Sequence, residues 1–194
     1  FGNLSELSTA KNAIDVGSGL SAPSKLWRDS FPDLNLYDVN INFKQLCFSK
    51  HQKNIEFLNS TSTKLPFNDN SVDRVLALES AQHFKPLSDF IVESKRVLIK
   101  SGFLVIAIPI TVNDSSLGKL GLLKFTWSSE HYSLDYLKHL LTSNGFKIID
   151  EMLIGSNVYD PLADYYVENR KTLSRIILEH YPGYMEKILY KSLL

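Results

Sequence analysis

Two spacings of apolar residues alternate along this chain. Compact apolar runs recur at residues 11–16, 34–39, 55–58, 72–78, 103–108 and 146–154. Their length and near-continuous hydrophobicity predict six strands buried on both faces. Only Asp73 and Arg74 interrupt the fourth. Between the runs the spacing widens to the helical period. A helix is predicted from Ser24, with Pro23 in its first turn, and another over 43–51. Leu87, Phe90, Ile91, Val97 and Leu98 mark an amphipathic helix over 86–99, which Ser101-Gly102 stops. Leu134, Leu137, Leu140 and Leu141 mark a further helix, with Asn144-Gly145 as its C-cap. Residues 65–71 are rich in turn formers, 111–131 form a long irregular segment, and 160–194 read as mainly helical and rich in tyrosine.

Strands alternating with helices predict an α/β fold, a mostly parallel central sheet flanked by helices. No repeat, low-complexity tract or linker divides the 194 residues, so one domain is expected over 1–194. Its core would span about 11–154, and the helical segment at about 160–194 would be a cap over the ligand edge or a packing tail. The first residue is Phe1, so the chain reads as a piece of a longer natural sequence.

Charge narrows the partners. Twenty-one basic residues balance twenty-one acidic ones, which leaves no net field to draw nucleic acid or an anionic membrane. No apolar run reaches the roughly 20 residues that span a bilayer, and Cys47, the one cysteine, fits a reducing, cytoplasmic setting. No Cys/His cluster has metal-ligand spacing, so no metal is expected.

The chemistry concentrates where the first strand ends. Ala13-Ile14-Asp15-Val16-Gly17-Ser18-Gly19 runs from an apolar strand through an acid into two glycines. Glycine lets backbone N–H groups come close to a ligand, and a helix start beyond the loop adds free donors. Asp38, at the predicted end of the second strand, follows at the ~20-residue interval of a ribose-binding acid. A dinucleotide fingerprint would need a third spaced glycine, whereas Leu20, Ser21, Ala22 and Pro23 follow here. Asp15 beside the glycines suits a ligand with a positive group better than a pyrophosphate. A tight turn without a ligand is the alternative.

The motif Ile14-Asp15-Val16-Gly17-Ser18-Gly19 resembles the first motif of the class I S-adenosylmethionine-dependent methyltransferases. Leu65-Pro66-Phe67-Asn68-Asp69-Asn70-Ser71-Val72-Asp73 resembles that family's connection into the fourth strand, and Lys95-Arg96-Val97-Leu98-Ile99-Lys100-Ser101-Gly102 its approach to the fifth. Residues 133–146 resemble the following helix, so the likeness covers about 11–153. It implies a Rossmann-like methyltransferase fold with S-adenosylmethionine as cofactor and S-adenosylhomocysteine as product. Asp15, Gly17, Ser18 and Gly19 would face the methionine part of the cofactor. Asp38 would hold the ribose hydroxyls, with Val39 against the adenine. Thr61 and Ser62 align with a stretch whose acid binds the adenine amine, here replaced by the uncharged hydroxyl of Thr61. Ser21 and Ser101 stand where the family commonly has glycine and proline.

Methyl transfer asks the protein for positioning and a proton acceptor. His83, in Glu79-Ser80-Ala81-Gln82-His83-Phe84 just past the fourth strand, is the candidate base, and similar segments occur in the family's natural-product and sugar O-methyltransferases. The bland reading makes it a cap of the next helix or a packing residue beside Phe84. Glu79 is a candidate cofactor contact or a loop-holding residue, and His131 a secondary acceptor contact. Trp127, Tyr132, Tyr159, Tyr165 and Tyr166 are candidates for an aromatic roof. The predicted function is methyl transfer to a small-molecule acceptor, on oxygen because of His83, with the oligomeric state unread. The alternative is a catalytically degenerate cofactor-binding domain serving as a partner subunit, motivated by Thr61, Ser21 and the short stretch before the first strand.

Overall fold

The computed structural model describes residues 1–49, 54–111, 130–180, 182–184 and 186–187. They fall into two compact units, Phe1–Ile148 and Ile149–Leu194.

The first unit is built on five parallel strands: β1 (Asn12–Val16), β2 (Asn35–Asn40), β3 (Ile55–Asn59), β4 (Val72–Leu78) and β5 (Leu98–Ala107), in the order β3-β2-β1-β4-β5. The chain starts at β1 in the middle, works outward to β3, and then returns to β4 on the other side of β1. The order reverses there, so the carboxyl ends of β1 and β4 flank the natural ligand crevice. The central strands are buried on both faces, as their apolar runs predicted. Ile14, Val16, Val39, Val75 and Ala77 face one core with Phe90 and Ile91 of α3 (Leu87–Val97) and Leu137 of α4 (Leu134–Ser143). Ala13, Leu36 and Leu76 face the other with Trp27 of α1 (Ala22–Ser30). A further helix, α2 (Phe43–Ser49), links β2 to β3. Two short strands, β6 (Ile110–Thr111) and β7 (Tyr132–Ser133), pair in parallel apart from the main sheet.

Arg96 gives two of the sequence motifs a common purpose. Its guanidinium donates to Glu93 on α3 at 2.7 Å, to Asp69 at 2.7 Å and to the carbonyls of Phe67 and Leu65 at 2.8 and 3.1 Å. The Glu93 carboxylate also accepts from the Leu65 amide at 2.7 Å. One planar cation thus staples the turn-rich connection to the helix that follows it, using the fork of donors that lysine lacks. The α4 helix begins and ends as its sequence predicted. Ser133 caps its start by accepting from the Tyr136 amide, and Gly145, at φ 76°, turns the chain at its end.

Two expectations are corrected. The helix over 86–99 ends at Val97, and β5 starts at once at Leu98. Gly102 therefore lies within a strand and does not stop a helix. A Cβ there would come within 2.8 Å of Leu98 and 3.0 Å of the Asp73 carbonyl, so glycine is needed for close approach. The second correction is the sixth strand. Residues 146–154 form no strand, and Ile149, Met152 and Leu153 are exposed. An apolar run becomes a strand only where a neighbouring edge takes up its backbone hydrogen bonds, and no ladder among the described residues does so.

The second unit is dominated by α5 (Gly155–His180), which starts five residues earlier than expected and runs through Pro161. Within it Tyr166 donates to Glu186 at 3.2 Å, and Arg170 pairs with the same carboxylate at 3.0 Å.

Candidate active site

The carboxyl ends of the strands are tied together by their loops. After β1 the chain passes Gly17 at φ 75°, Gly19 at φ 57° and Ser21 at φ 61° before entering α1. The Gly17 amide donates to the Val39 carbonyl of β2 at 2.7 Å, and the Ser21 amide to the Ser18 carbonyl at 2.8 Å. From the β4 side the Ser80 hydroxyl donates to the Val16 carbonyl at 2.7 Å. A Cβ on Gly17 would stand 2.7 Å from the Ser80 Cβ and 3.2 Å from Phe84, so this glycine is compelled twice, by its backbone and by its neighbours. Gly19 has nothing within 4 Å of where a Cβ would be, so its side of the loop is open. A left-handed glycine with clear space before it, at a helix start, leaves room for the polar end of a ligand. The hydroxyls of Ser18 and Ser21 are buried, and neither makes a well-formed hydrogen bond.

The tip of β2 carries Asn40. Its amide donates to the Gly19 carbonyl at 3.2 Å and to Gln45 at 3.0 Å, and its oxygen accepts from the Asn42 amide at 3.0 Å. Asn59, ending β3, clamps the same corner through the carbonyls of Asn40 and Ile41 at 2.8 and 3.0 Å. Asp38, expected at this tip, lies two residues back. It has no surface open to solvent and stands beside Asp15 in the register of β1 and β2. Val39, expected against the adenine, is packed in the core beside Ile14 and Val16. The exposed apolar side chain next to the tip is that of Ile41. Asn40 and Ile41 carry no signal of their own in the sequence, where Asp38 has both the acid and the interval of a ribose contact, although β2 runs on to Asn40.

Asp15 is also sealed, and accepts from Ser24 on α1 at 2.8 Å. Burial, and then the neighbouring Asp38, push its carboxyl up to about 7. Burial raises Asp38 to about 6, against a smaller opposing pull from Ser21 and Ser24. Those hydroxyls lie close to Asp38, yet neither makes a well-formed hydrogen bond with it. Thr61 is exposed and Ser62 half-buried, in the loop after β3, with the Thr61 hydroxyl 3.3 Å from that of Thr63.

The loop after β4 supplies the other wall. Glu79 is exposed at φ 51°, its amide bonded to the Ala107 carbonyl at 2.9 Å. His83 sits in a single 3₁₀ turn (Ala81–His83), its ring exposed. It does not cap α3, whose N-cap is Pro86 with no side-chain bond. Phe84 is the packing residue here, edge-on to Phe90 at 4.7 Å. The returning segment reaches the same place: the Glu130 amide donates to the Gln82 carbonyl at 2.8 Å, and Glu130 pairs with Lys85 at 3.2 Å. The Nε2 atom of His131 and Oε1 of Gln82 are buried without partners. Tyr132 stacks on Tyr136 at 5.5 Å. Of the other proposed roof residues, Trp127 lies outside the described residues, and Tyr159, Tyr165 and Tyr166 belong to the second unit.

Comparison with known proteins points to one family. Residues 14–106 match the profile of a methyltransferase domain. The chain is similar to the erythromycin 3''-O-methyltransferase of Saccharopolyspora erythraea, 25% identical over 198 residues, covering 88% of this chain and 63% of that one. It thus spans less than two thirds of that curated relative. Among solved structures, the [4+2]-cyclase SpnF superposes with a TM-score of 0.78 at 17% identity, covering 99% of this chain and 70% of that one. A phosphoethanolamine N-methyltransferase of Haemonchus contortus, solved with S-adenosylhomocysteine, gives 0.75 at 16% identity, covering 95% and 44%. At those identities the likeness is one of fold.

Proposed function

We propose that the chain is a class I S-adenosylmethionine-dependent methyltransferase, the reading supported by the methyltransferase-domain match and the O-methyltransferase relative, and that it transfers a methyl group to a hydroxyl of a small-molecule acceptor. The observation that carries this reading is the open, left-handed Gly17–Gly19 loop at the strand-order reversal, with His83 exposed on the facing loop. The open space beside Gly19 and the buried Ser18 hydroxyl without a partner support a cofactor seat at this loop. In our reading the loop from Gly17 to Gly19 holds the methionine part. Asn40 takes the ribose hydroxyls and Ile41 lies against the adenine, the places first assigned to Asp38 and Val39. Thr61 and Ser62 line the adenine edge.

When bound, S-adenosylmethionine supplies an already activated methyl group, so the protein's tasks are orientation and proton removal. His83, exposed on the loop after β4, accepts the proton of the acceptor hydroxyl, since an imidazole is the side chain suited to take a proton near neutral pH. Gln82 and His131, with unused polar atoms, orient the acceptor. The oxygen acceptor is supported by His83 and by the O-methyltransferase named above. The balanced charge of the chain supports a small acceptor over nucleic acid. No described helix is long and apolar enough to cross a membrane, and a cytoplasmic location is part of the same proposal.

The second reading, a cofactor-binding partner domain without turnover, draws on Thr61, uncharged where the family's acid binds the adenine amine, and on the cyclase that shares this fold. Calorimetry with S-adenosylmethionine and S-adenosylhomocysteine, followed by labelled methyl transfer to a panel of sugar, polyketide-like and lipid hydroxyls, separates the two. Binding with transfer supports the enzyme. Binding without transfer to any acceptor favours the partner domain, and failure to bind either compound removes both.

A further inference from the structure

Five side chains form a row across the α1 face of the sheet. In register, Phe57 of β3 neighbours Asp38 of β2, which neighbours Asp15 of β1, then Leu76 of β4 and Val105 of β5. Residues paired in register on parallel strands point to the same side. Two carboxyls thus lie side by side, flanked by Leu76 and Phe57 and sealed to 2% and 0% exposure. From α1 they meet Ser24, bonded to Asp15, and Ser21, close to Asp38. The nearest cations on neighbouring elements are turned elsewhere. Arg74 of β4 binds the carbonyls of Ser5 and Glu6, and Arg28 of α1 binds the Leu34 carbonyl. Lys25 is exposed. Both Asp38 oxygens lack a hydrogen-bond partner. Two negative charges in this row would be desolvated, adjacent and uncompensated, the arrangement in which paired carboxyls retain a proton.

We propose that Asp15 and Asp38 hold one proton between them, and that this proton keeps the Gly17–Ser21 loop in its cofactor-receiving shape; Asp38 is thereby a positioning residue acting through Asp15 and α1. The loop assignment rests on the functional reading above. The physical link is Ser24. While one carboxyl is neutral, Ser24 serves Asp15 and Asp38 asks for little. When both are charged, Asp38 competes for Ser24 and draws on Ser21, the left-handed residue that leads into α1. The proton released goes to solvent.

The sign follows from the raised values of about 7 and about 6. Against an unfolded carboxyl at 3.8, the folded pair binds protons more tightly, so its favourable contribution is complete below that value and is lost as pH rises through 6 and 7. Affinity for S-adenosylhomocysteine should fall about tenfold between about pH 6 and about pH 8, one proton setting a ceiling of about tenfold per pH unit. Asp38→Asn should flatten that dependence, and also the pH dependence of urea unfolding between the same limits. Carbon NMR of wild-type protein labelled at aspartate carboxyls keeps the test independent of any variant's folding. Two coupled resonances should titrate well above the remaining aspartates. All aspartates titrating near 4 would overturn the shared proton. Coupled titration with pH-independent cofactor affinity would overturn the loop's dependence on it. Absence of binding at every pH would instead remove the functional reading, while NMR still reports on the pair.

Discussion

The loops after β1 and β2 meet the loop after β4 at one edge of the sheet, yet the two sides are built differently. On the β1–β2 side, backbone and amide hydrogen bonds join Gly17 to Val39, Gly19 to Asn40, and Asn40 to Gln45 and Asn59, around buried hydroxyls. On the β4 side Glu79 and His83 are exposed, and the described links to the segment at Glu130 include a backbone bond to Gln82 and an exposed ion pair with Lys85. A surface ion pair contributes little. In the proposed function the first side is preorganised for a ligand of constant shape, and the second is free to vary with the acceptor. Under the proposed function, binding belongs to one wall and turnover to the other, and substitutions should divide accordingly.

The strongest test of that division is His83→Ala. If His83 is the base, labelled methyl transfer to the true acceptor should fall roughly 10²- to 10⁴-fold while the affinity for S-adenosylhomocysteine stays the same. Loss of both together would break the comparison. On the opposite wall, Gly17→Ala meets the Ser80 Cβ at 2.7 Å and forces a methyl-bearing residue to φ 75°. It should cost about 3 kcal/mol in urea unfolding, and calorimetry should show cofactor binding lost even where the protein remains folded. Asn40→Ala removes the corner that joins Gly19 to α2. Affinity for S-adenosylhomocysteine should weaken roughly five- to tenfold, the worth of about 1 kcal/mol of hydrogen bonding, with the rate at saturating cofactor unchanged. The smallest effect has the opposite sign. Ser21→Gly relieves a left-handed serine and should raise the unfolding free energy by roughly 0.5 kcal/mol, the strain relieved exceeding the entropy that glycine adds to the unfolded chain.

Much of the molecule was legible in advance. The first four strands, the Pro23 helix start, the Gly145 end of α4 and the glycine loop appear where local pattern put them, while β5 starts at Leu98, ahead of the expected Phe103. The turns and helix ends depend on interactions within a few residues, which the order of side chains displays directly. The apolar run at 146–154 failed as a strand because pairing requires a partner edge.

What the order of residues determined by itself was the succession of elements and the turn chemistry between them, because helix period, strand period and glycine or proline backbone limits are properties of short segments. Alternation along β2 also assigned each residue to a face. It did not say how far along the strand the rim of the sheet would lie. That depends on where β1 and β3 stop, and the assembled sheet put Asn40 at the rim and drew Asp38 inward beside Asp15. Depth in a sheet is a relation among strands, so only the tertiary structure decided which polar group faces the crevice and which two carboxyls became neighbours.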